Sequence, residues 1–194
     1  MPDNKPKIIL ASQSPRRKQL LEWAEVKFEA VTSDADESFS TNMPVEEIPV
    51  FIARNKAKAV QQKLNSDAII LAADTIVVLD NKVINKPASR DEAIEMLRLL
   101  SGNEHRVITG VVLLRDNKEV SFADVTHVVF HKLTDEQIIF YVDKYKPYDK
   151  AGAYAIQEWI GVTGIKSING DFYNVMGLPV SRVLQQLKHF TATL

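Results

Sequence analysis

The order of apolar and polar positions along the chain follows two periods, one typical of helices and one typical of strands. Continuous apolar runs at 8–11 and 68–73 are short enough to predict buried strands. Apolar residues at helical spacing, such as Ala53, Ala57 and Val60, predict a helix with one buried face. We therefore expect helices that pack on a sheet.

Capping residues and prolines mark where the helices begin. Ser14 has the position of an N-cap and Pro15 that of the first helical residue, where its missing N–H costs nothing. Similar signals predict four further helix starts: Ser89 with Glu92, Thr134 with Gln137, Pro49 and Pro179. The polar stretch 34–44 is predicted to be a loop.

The strands in the middle of the chain are joined by short polar turns. Two hairpins are predicted: 75–79 with 83–84 across the turn 80–82, and 107–114 with 120–130 across the turn 116–118. Two more strands are predicted at 26–32 and 160–168. Hairpin links argue against a strictly parallel sheet. The predicted fold class is therefore α/β, with a mixed twisted β-sheet flanked by helices.

Composition indicates an ordinary globular protein with no general attraction to nucleic acid or acidic membranes. The 194 residues suit one sizeable domain, 1–194, or two small lobes that share a core. Apolar residues make up 45% of the chain, charged residues 25%, and the net charge is -1. Any anion site must therefore be local and built from a few placed residues.

Several kinds of site are excluded or disfavoured by residue type. The chain has no cysteine, which excludes disulfides, thiolate metal sites and a cysteine nucleophile. The histidines lack zinc-binding spacing, and there is no P-loop motif. Residues 1–7 lack the apolar core of a signal peptide, and no apolar run approaches the roughly 20 residues that span a bilayer. We expect a cytoplasmic protein.

The junction between the first strand and the first helix is a candidate anion site. A helix N-terminus presents free N–H groups and the positive end of the helix dipole. Arg16 and Arg17 lie in this turn, where each cation opposes the dipole at a cost of about 0.3–1 kcal/mol. A bound phosphate would offset that cost, and arginine can hold it through two hydrogen bonds. The alternative is a serine cap with two solvated arginines.

Carboxylates follow two of the predicted strands. Asp34, Asp36 and Glu37 lie in the polar loop, and Asp74 follows the strand 69–73. The ends of strands are where α/β proteins place ligands. Two or three carboxylates suit a hard cation such as Mg²⁺, which also bridges phosphates. Alternatively, Asp74 caps a turn and the loop acids are solvated.

Two lysines and one glutamine could also contact a ligand. Lys56 flanks the apolar stripe of the second helix, and Lys86 precedes a proline, which favours an extended backbone. Either lysine could instead be solvated. The small residues of 149–157 allow a close backbone approach, and Gln157 carries an amide that can pair with a base edge. The alternative is a tight turn that leads into a strand.

Taken together, these motifs resemble the Maf family of nucleoside triphosphate pyrophosphatases. They span nearly the whole chain in the family's order: Ile-Leu-Ala-Ser-Gln-Ser-Pro-Arg-Arg at 9–17, Ala-Ala-Asp-Thr at 72–75, Lys86-Pro87, Leu-Ser-Gly at 100–102, Asp-Lys-Ala-Gly-Ala-Tyr at 149–154 with Gln157, and Gly-Leu-Pro at 177–179. Each motif alone is weak, whereas the set is specific.

The resemblance implies hydrolysis of a nucleoside triphosphate to the monophosphate and pyrophosphate with a divalent cation, Mg²⁺ or Mn²⁺. It also implies two lobes with a central cleft, and it is compatible with a homodimer. Asp74 would be the acid–base residue or a metal ligand, Glu37 a second acid at the metal, and Lys86 a further catalytic group that contacts phosphate. The implied substrate ligands are Ser12, Arg16, Arg17, Lys56, Thr75 and Gln157.

The resemblance also bears on the choice of base. Arg16, Thr75 and Gln157 match the positions associated with the branch that prefers dTTP and UTP. The chain departs from the family where Tyr-Gly-Ile-Gln-Gly is usual, because 154–158 reads Tyr-Ala-Ile-Gln-Glu and Trp159 follows. An acid and an aromatic residue thus flank the residue expected to contact the base.

Two other functions are compatible with the same residues. A non-catalytic nucleotide-binding regulator of cell division would keep the anion site, but it would not need the base Asp74. A nucleotidyltransferase would also use a metal and arginine, but it would release pyrophosphate only with a second substrate. Pyrophosphate release from a nucleotide alone separates both from the hydrolase.

Overall fold

The computed structural model describes residues 6–64 and 67–192. The chain divides into two compact units. The first comprises Met1–Asp74, Thr109–Asp124 and Gly177–Leu194, and the second comprises Thr75–Ile108 and Val125–Met176. Residues 1–5, which form most of the segment considered for an export signal, lie outside the described residues. None of the helices in the described ranges is long and apolar enough to cross a membrane.

Helices and strands are interspersed along the described chain. The helices are α1 Pro15–Trp23, α2 Ile48–Leu64, α3 Arg90–Leu100, α4 Asp135–Tyr145, α5 Trp159–Gly164, α6 Phe172–Met176 and α7 Val180–Ala192. The strands are β1 Ile8–Ala11, β2 Glu29–Val31, β3 Ile69–Leu79, β4 Lys82–Ile84, β5 Glu104–Arg115, β6 Lys118–Phe130 and β7 Ile165–Asn169. A single 3-10 turn covers Ala151–Ala153.

The strands form a mixed sheet, as the sequence predicted. The strand order is β2-β1-β3-β5-β6-β7, and β4 pairs with β3. β1 is parallel to both β2 and β3, whereas β3 with β4 and β6 with β7 are antiparallel. Asp80 and Asn81 turn the β3–β4 hairpin with positive φ angles of 47° and 62°, which aspartate and asparagine tolerate better than most residues.

The first unit is built around β1 and α2, whose small residues allow close packing. Ala53 and Ala57 of α2 are fully buried in a cluster with strand residues such as Ile9 and Val112. Gly110 of β5 lies against the start of α2, and a Cβ there would come within 2.2 Å of the backbone carbon of Pro49. The loop 34–44 follows β2, as predicted, and it brings Glu37 to this unit's charged site.

The second unit pairs α3 with α4 and has a small aromatic core. His105 stacks on Phe130 with ring centroids 5.4 Å apart, and Tyr154 meets both rings edge-on. The predicted capping box of α4 is complete, since Thr134 and Gln137 exchange hydrogen bonds. In α3, Ser89 accepts from the N–H of Glu92. The helix starts are thus confirmed within one or two residues.

Some strand predictions differ from the structure. The strand predicted at 26–32 is confirmed only over Glu29–Val31, where β2 lies. The strand predicted at 160–168 is wrong in its first half, because Trp159–Gly164 is helical and the strand begins only at Ile165. The segments 68–73 and 75–79 form one strand, β3, since the half-buried Asp74 and Thr75 interrupt the apolar pattern but leave the backbone extended. An apolar pattern therefore reports burial and does not by itself locate strand ends.

Candidate functional site

The β1–α1 junction has the geometry of an N-capped helix start. The hydroxyl of Ser14 accepts the backbone N–H of Arg17 at 3.4 Å, and the N–H of Ser14 donates to the hydroxyl of Ser12 at 3.2 Å. No acidic side chain lies in the first turn of α1. The positive end of the helix dipole is therefore joined by the positive charges of Arg16 and Arg17, which favours an anion as the ligand.

Arg17 is almost entirely buried and supports this junction from inside. Its Nε donates to the carbonyl oxygen of Gly177 at 2.7 Å, and a terminal nitrogen donates to the Ser12 hydroxyl at 3.3 Å. Burial lowers the pKa of Arg17, and nearby Arg16 lowers it further, whereas the charges of Asp74 and Glu37 oppose these effects. An arginine remains protonated even so, and it contributes a buried positive charge to the site.

Lys56 of α2 joins the two candidate acids of the first unit. Its Nζ lies 2.7 Å from Oδ1 of Asp74 on β3 and 2.7 Å from Oε1 of Glu37 in the loop after β2. The side chains of Lys56 and Asp74 are only 12% and 14% exposed, whereas that of Glu37 is 52% exposed. The structure therefore brings together residues from three separate segments, with one positive charge placed between two negative ones.

The fit of a metal ion to this site depends on the two carboxylates. Glu37 and Asp74 offer the hard oxygen ligands that Mg²⁺ and Mn²⁺ prefer. Across the described residues, no group of three or more His, Cys, Asp or Glu side chains could hold a metal by itself. Two carboxylates are nevertheless enough for Mg²⁺, which commonly keeps several waters and shares its coordination with substrate phosphates. The donor set fits such a shared ion.

The remaining predicted site residues belong to the second unit. Thr75 follows Asp74 in β3 and is half-buried, while Lys86 is exposed two residues after β4. Gln157 is exposed on a tight turn. The N–H of Gly152 donates to the carbonyl oxygen of Asn85 at 3.1 Å, which places the segment of Lys86 beside the turn 151–153.

A largely buried polar network next to Gln157 in the chain was not predicted. The hydroxyl of Tyr141 accepts the N–H of Ala155 and donates to Glu158, whose other oxygen lies 3.5 Å from Nζ of Lys150. Lys150 was part of a quoted motif but had no assigned role, and the sequence near Tyr141 carries no signal beyond a helical apolar stripe. Trp159, an aromatic residue where the family usually has a smaller one, packs edge-on against Phe140, with ring centroids 4.9 Å apart.

Comparison with known proteins identifies the family of this chain. The model of the family described as Maf-like protein matches residues 7–190. The dTTP/UTP pyrophosphatase of Parabacteroides distasonis is 52% identical over 95% of this chain and 96% of its own length. That of Cytophaga hutchinsonii is 52% identical over 93% of this chain and 83% of its own. The chain therefore belongs to the Maf-like family.

One more distant likeness comes from a solved structure. The Ham1 protein of Staphylococcus aureus aligns with a TM-score of 0.47 and 17% identity, over 80% of this chain and 89% of that chain. A similarity at this level does not define a shared activity.

Proposed function

We propose that the protein hydrolyses nucleoside triphosphates, with dTTP and UTP as preferred substrates, to the monophosphate and pyrophosphate. The observation that carries the proposal is the bridging of Asp74 and Glu37 by Lys56, in the field of the buried Arg17. Family membership and the two relatives named dTTP/UTP pyrophosphatase support the reaction and the base preference. Its role would be to remove unwanted nucleotides from the cytoplasmic pool.

The proposed reaction is an in-line attack of water on the α-phosphorus. Asp74 orients the water and takes its proton as the new P–O bond forms. The bond from the α-phosphorus to the bridging oxygen breaks, and that oxygen leaves with pyrophosphate. Lys56 keeps the Asp74 carboxylate in place through the 2.7 Å contact. Because the carboxylate is already in position, it does not have to reorient before it takes the proton from water, and the barrier to the reaction is lower.

The positive groups of the chain bind the triphosphate and offset its charge. We assign this role to Arg16, Arg17, Lys56 and Lys86, together with the capped N-terminus of α1 and the Ser12 hydroxyl. A divalent cation held by Glu37 and Asp74 would neutralise further phosphate charge when bound. Such placed charges usually supply most of the catalysis in phosphoryl chemistry.

The residues of the second unit are proposed to define the nucleotide. Gln157 offers both an amide donor and a carbonyl acceptor, which can read the edge of thymine or uracil. Thr75 and Arg16 complete the set that the family associates with dTTP and UTP. The resemblance also supports a homodimer, which sedimentation velocity of the purified chain would test.

The direct test is pyrophosphate release from a panel of single nucleotides with Mg²⁺ or Mn²⁺. We expect the highest kcat/KM for dTTP and UTP, and no turnover when the divalent cation is chelated. A chain that binds nucleotides but releases pyrophosphate from none of them would instead be a nucleotide-binding regulator. Release that requires an added sugar phosphate would indicate a nucleotidyltransferase.

A further inference from the structure

Gln157 lies at the tip of a tight turn whose backbone is held inside the second unit. The N–H of Glu158 donates to the carbonyl oxygen of Ala155 at 3.1 Å and closes the turn. Ala155 and Ile156 are buried, whereas Gln157 is exposed. The turn therefore presents one amide side chain outward from an otherwise buried support.

Tyr141 of α4 forms hydrogen bonds with both ends of this turn. Its side chain is fully buried, and its hydroxyl accepts the N–H of Ala155 at 3.2 Å while donating to Oε2 of Glu158. A hydroxyl can accept and donate at once, so one phenol fixes the residues on either side of Ile156 and Gln157. The Tyr141 side chain is buried and that of Glu158 only 22% exposed, so displacing the turn would leave these groups without partners where little water can replace them.

Lys150 completes the network on the other oxygen of the Glu158 carboxylate. Its Nζ lies 3.5 Å from Oε1 of Glu158 and 2.7 Å from Oδ1 of Asp149, and the residue is only 8% exposed. Both oxygens of Glu158 are therefore engaged inside the second unit. Glu158 replaces the glycine that is usual in the family, and its contacts with Tyr141 and Lys150 stabilise the turn that carries Gln157.

The start of α5 supports the turn from the other side. A Cβ on Gly161 would come within 1.8 Å of the carbonyl oxygen of Ile156, so the helix backbone lies directly against the turn. No side chain fits between them. The turn 155–158 is thus held by α4 through Tyr141 and by α5 through close backbone contact.

We propose that Tyr141, acting with Glu158 and Lys150, positions the Gln157 amide and thereby sets the base selectivity of the enzyme. The inference rests on the proposed function, in which Gln157 reads the base. An amide discriminates between base edges only while its donor and acceptor are held in register, since a mobile amide can satisfy several edges. Loosening the turn should therefore lower selectivity while the reaction at Asp74 continues.

The test compares Tyr141→Phe with Tyr145→Phe, a change on the same helix. The rings of Tyr141 and Tyr145 stack with centroids 5.0 Å apart, so both variants lose a phenol hydroxyl from the same stacked pair, although Tyr145 is half-buried and Tyr141 fully buried. For Tyr141→Phe we expect the ratio of kcat/KM for dTTP over dCTP to fall about tenfold, through a raised KM for dTTP and a kcat within about twofold of wild type. For Tyr145→Phe the ratio should stay unchanged.

A double variant distinguishes positioning from a general loss of structure. If Tyr141 acts through Gln157, adding Tyr141→Phe to Gln157→Ala should not lower the ratio further. Additive losses, or an unchanged ratio in Tyr141→Phe, would overturn the inference. Should Tyr141→Phe fail to fold, Glu158→Gln serves in its place, since it removes the charge facing Lys150 but keeps an acceptor for Tyr141.

The role of Tyr141 and the proposed hydrolysis can be contradicted by different results. If the wild type releases pyrophosphate from dTTP but Gln157→Ala leaves the selectivity ratio unchanged, the inference and the base-reading role of Gln157 are wrong, while the proposed hydrolysis stands. If the wild type is silent on every nucleotide, the proposed function is wrong and the inference fails with it.

Discussion

Lys56 forms ion pairs with two carboxylates that repel each other. Asp74 and Glu37 both lie 2.7 Å from its Nζ, and without that charge the two carboxylates would each lose a hydrogen-bonded counter-ion. The sequence predicted Lys56 as a phosphate ligand only. Its contact with Asp74 joins residues 18 positions apart on a helix and a strand, a relation that no local pattern contains.

Replacing Asp74 with asparagine should abolish most of the activity and leave the fold intact. The amide keeps the size of the carboxylate but cannot take a proton from water, so we expect kcat to fall about 1,000-fold. Pyrophosphate release from dTTP measures the effect, and circular dichroism checks the fold. Asp80→Asn, in the exposed β3–β4 turn, is the matched control and should keep full activity. Near-normal turnover of Asp74→Asn would remove the proposed base.

Replacing Lys56 with glutamine should weaken both catalysis and substrate binding. The neutral amide cannot balance Asp74 and Glu37, and it removes a positive charge offered to the phosphates, so we expect kcat/KM to fall about 100-fold. Steady-state kinetics with dTTP measures this change. Lys63→Gln, at the exposed end of the same helix, is the control. Equal activity in the two variants would contradict the role given to Lys56.

At the scale of helices and strands, capping residues predicted where most helices begin, whereas tertiary packing determined where some strands begin and end. Ser14 and the pair Thr134–Gln137 act within one turn of chain, and their caps are present as predicted. The segment 160–168 is apolar enough for a strand, yet its first half is helical. The reason is the close approach of Gly161 to Ile156, which depends on where the preceding turn lies and cannot be read from periodicity.

Gly110 provides a test of close packing between β5 and α2. An added Cβ would lie 2.2 Å from the backbone carbon of Pro49, so Gly110→Ala must displace either the strand or the helix. We expect the free energy of unfolding to fall by about 3 kcal/mol, as for overpacked cores. Urea denaturation measures the loss, and Lys82→Ala on the exposed strand β4 is the control. Unchanged stability would show that α2 adapts without cost.

For the molecule as a whole, the sequence supplied candidate site residues, but it did not indicate which contacts hold their side chains in place. The motif positions of Arg17, Glu37, Lys56 and Asp74 were proposed from resemblance, and the structure brings their charges together. The polar network of Tyr141 could not be predicted, because it joins α4 to residues 14 and 17 positions further along the chain. Such contacts depend on the finished fold.

The buried His105 should make the stability of the folded chain depend on pH. It is only 1% exposed, and its Nε2 lies 2.7 Å from the hydroxyl of the buried Tyr154. Burial lowers the pKa of His105 to about 4 from an ordinary 6.5. The unfolded chain therefore binds a proton at higher pH than the folded chain does. Stability should fall as pH drops from 6.5 to 4.

The size of this effect can be isolated with a histidine variant. The shift of His105 corresponds to roughly 3 kcal/mol of unfolding free energy, lost progressively across that pH range. Urea denaturation at a series of pH values should show a shallower acid slope in His105→Gln than in wild type, although that variant is less stable at neutral pH because it loses a ring from the aromatic core. His131→Gln, at an exposed position after β6, should keep the wild-type slope. If His105→Gln and wild type lost stability equally between pH 6.5 and 4, His105 would have to be protonated in the folded protein, and the acid sensitivity would lie with other groups.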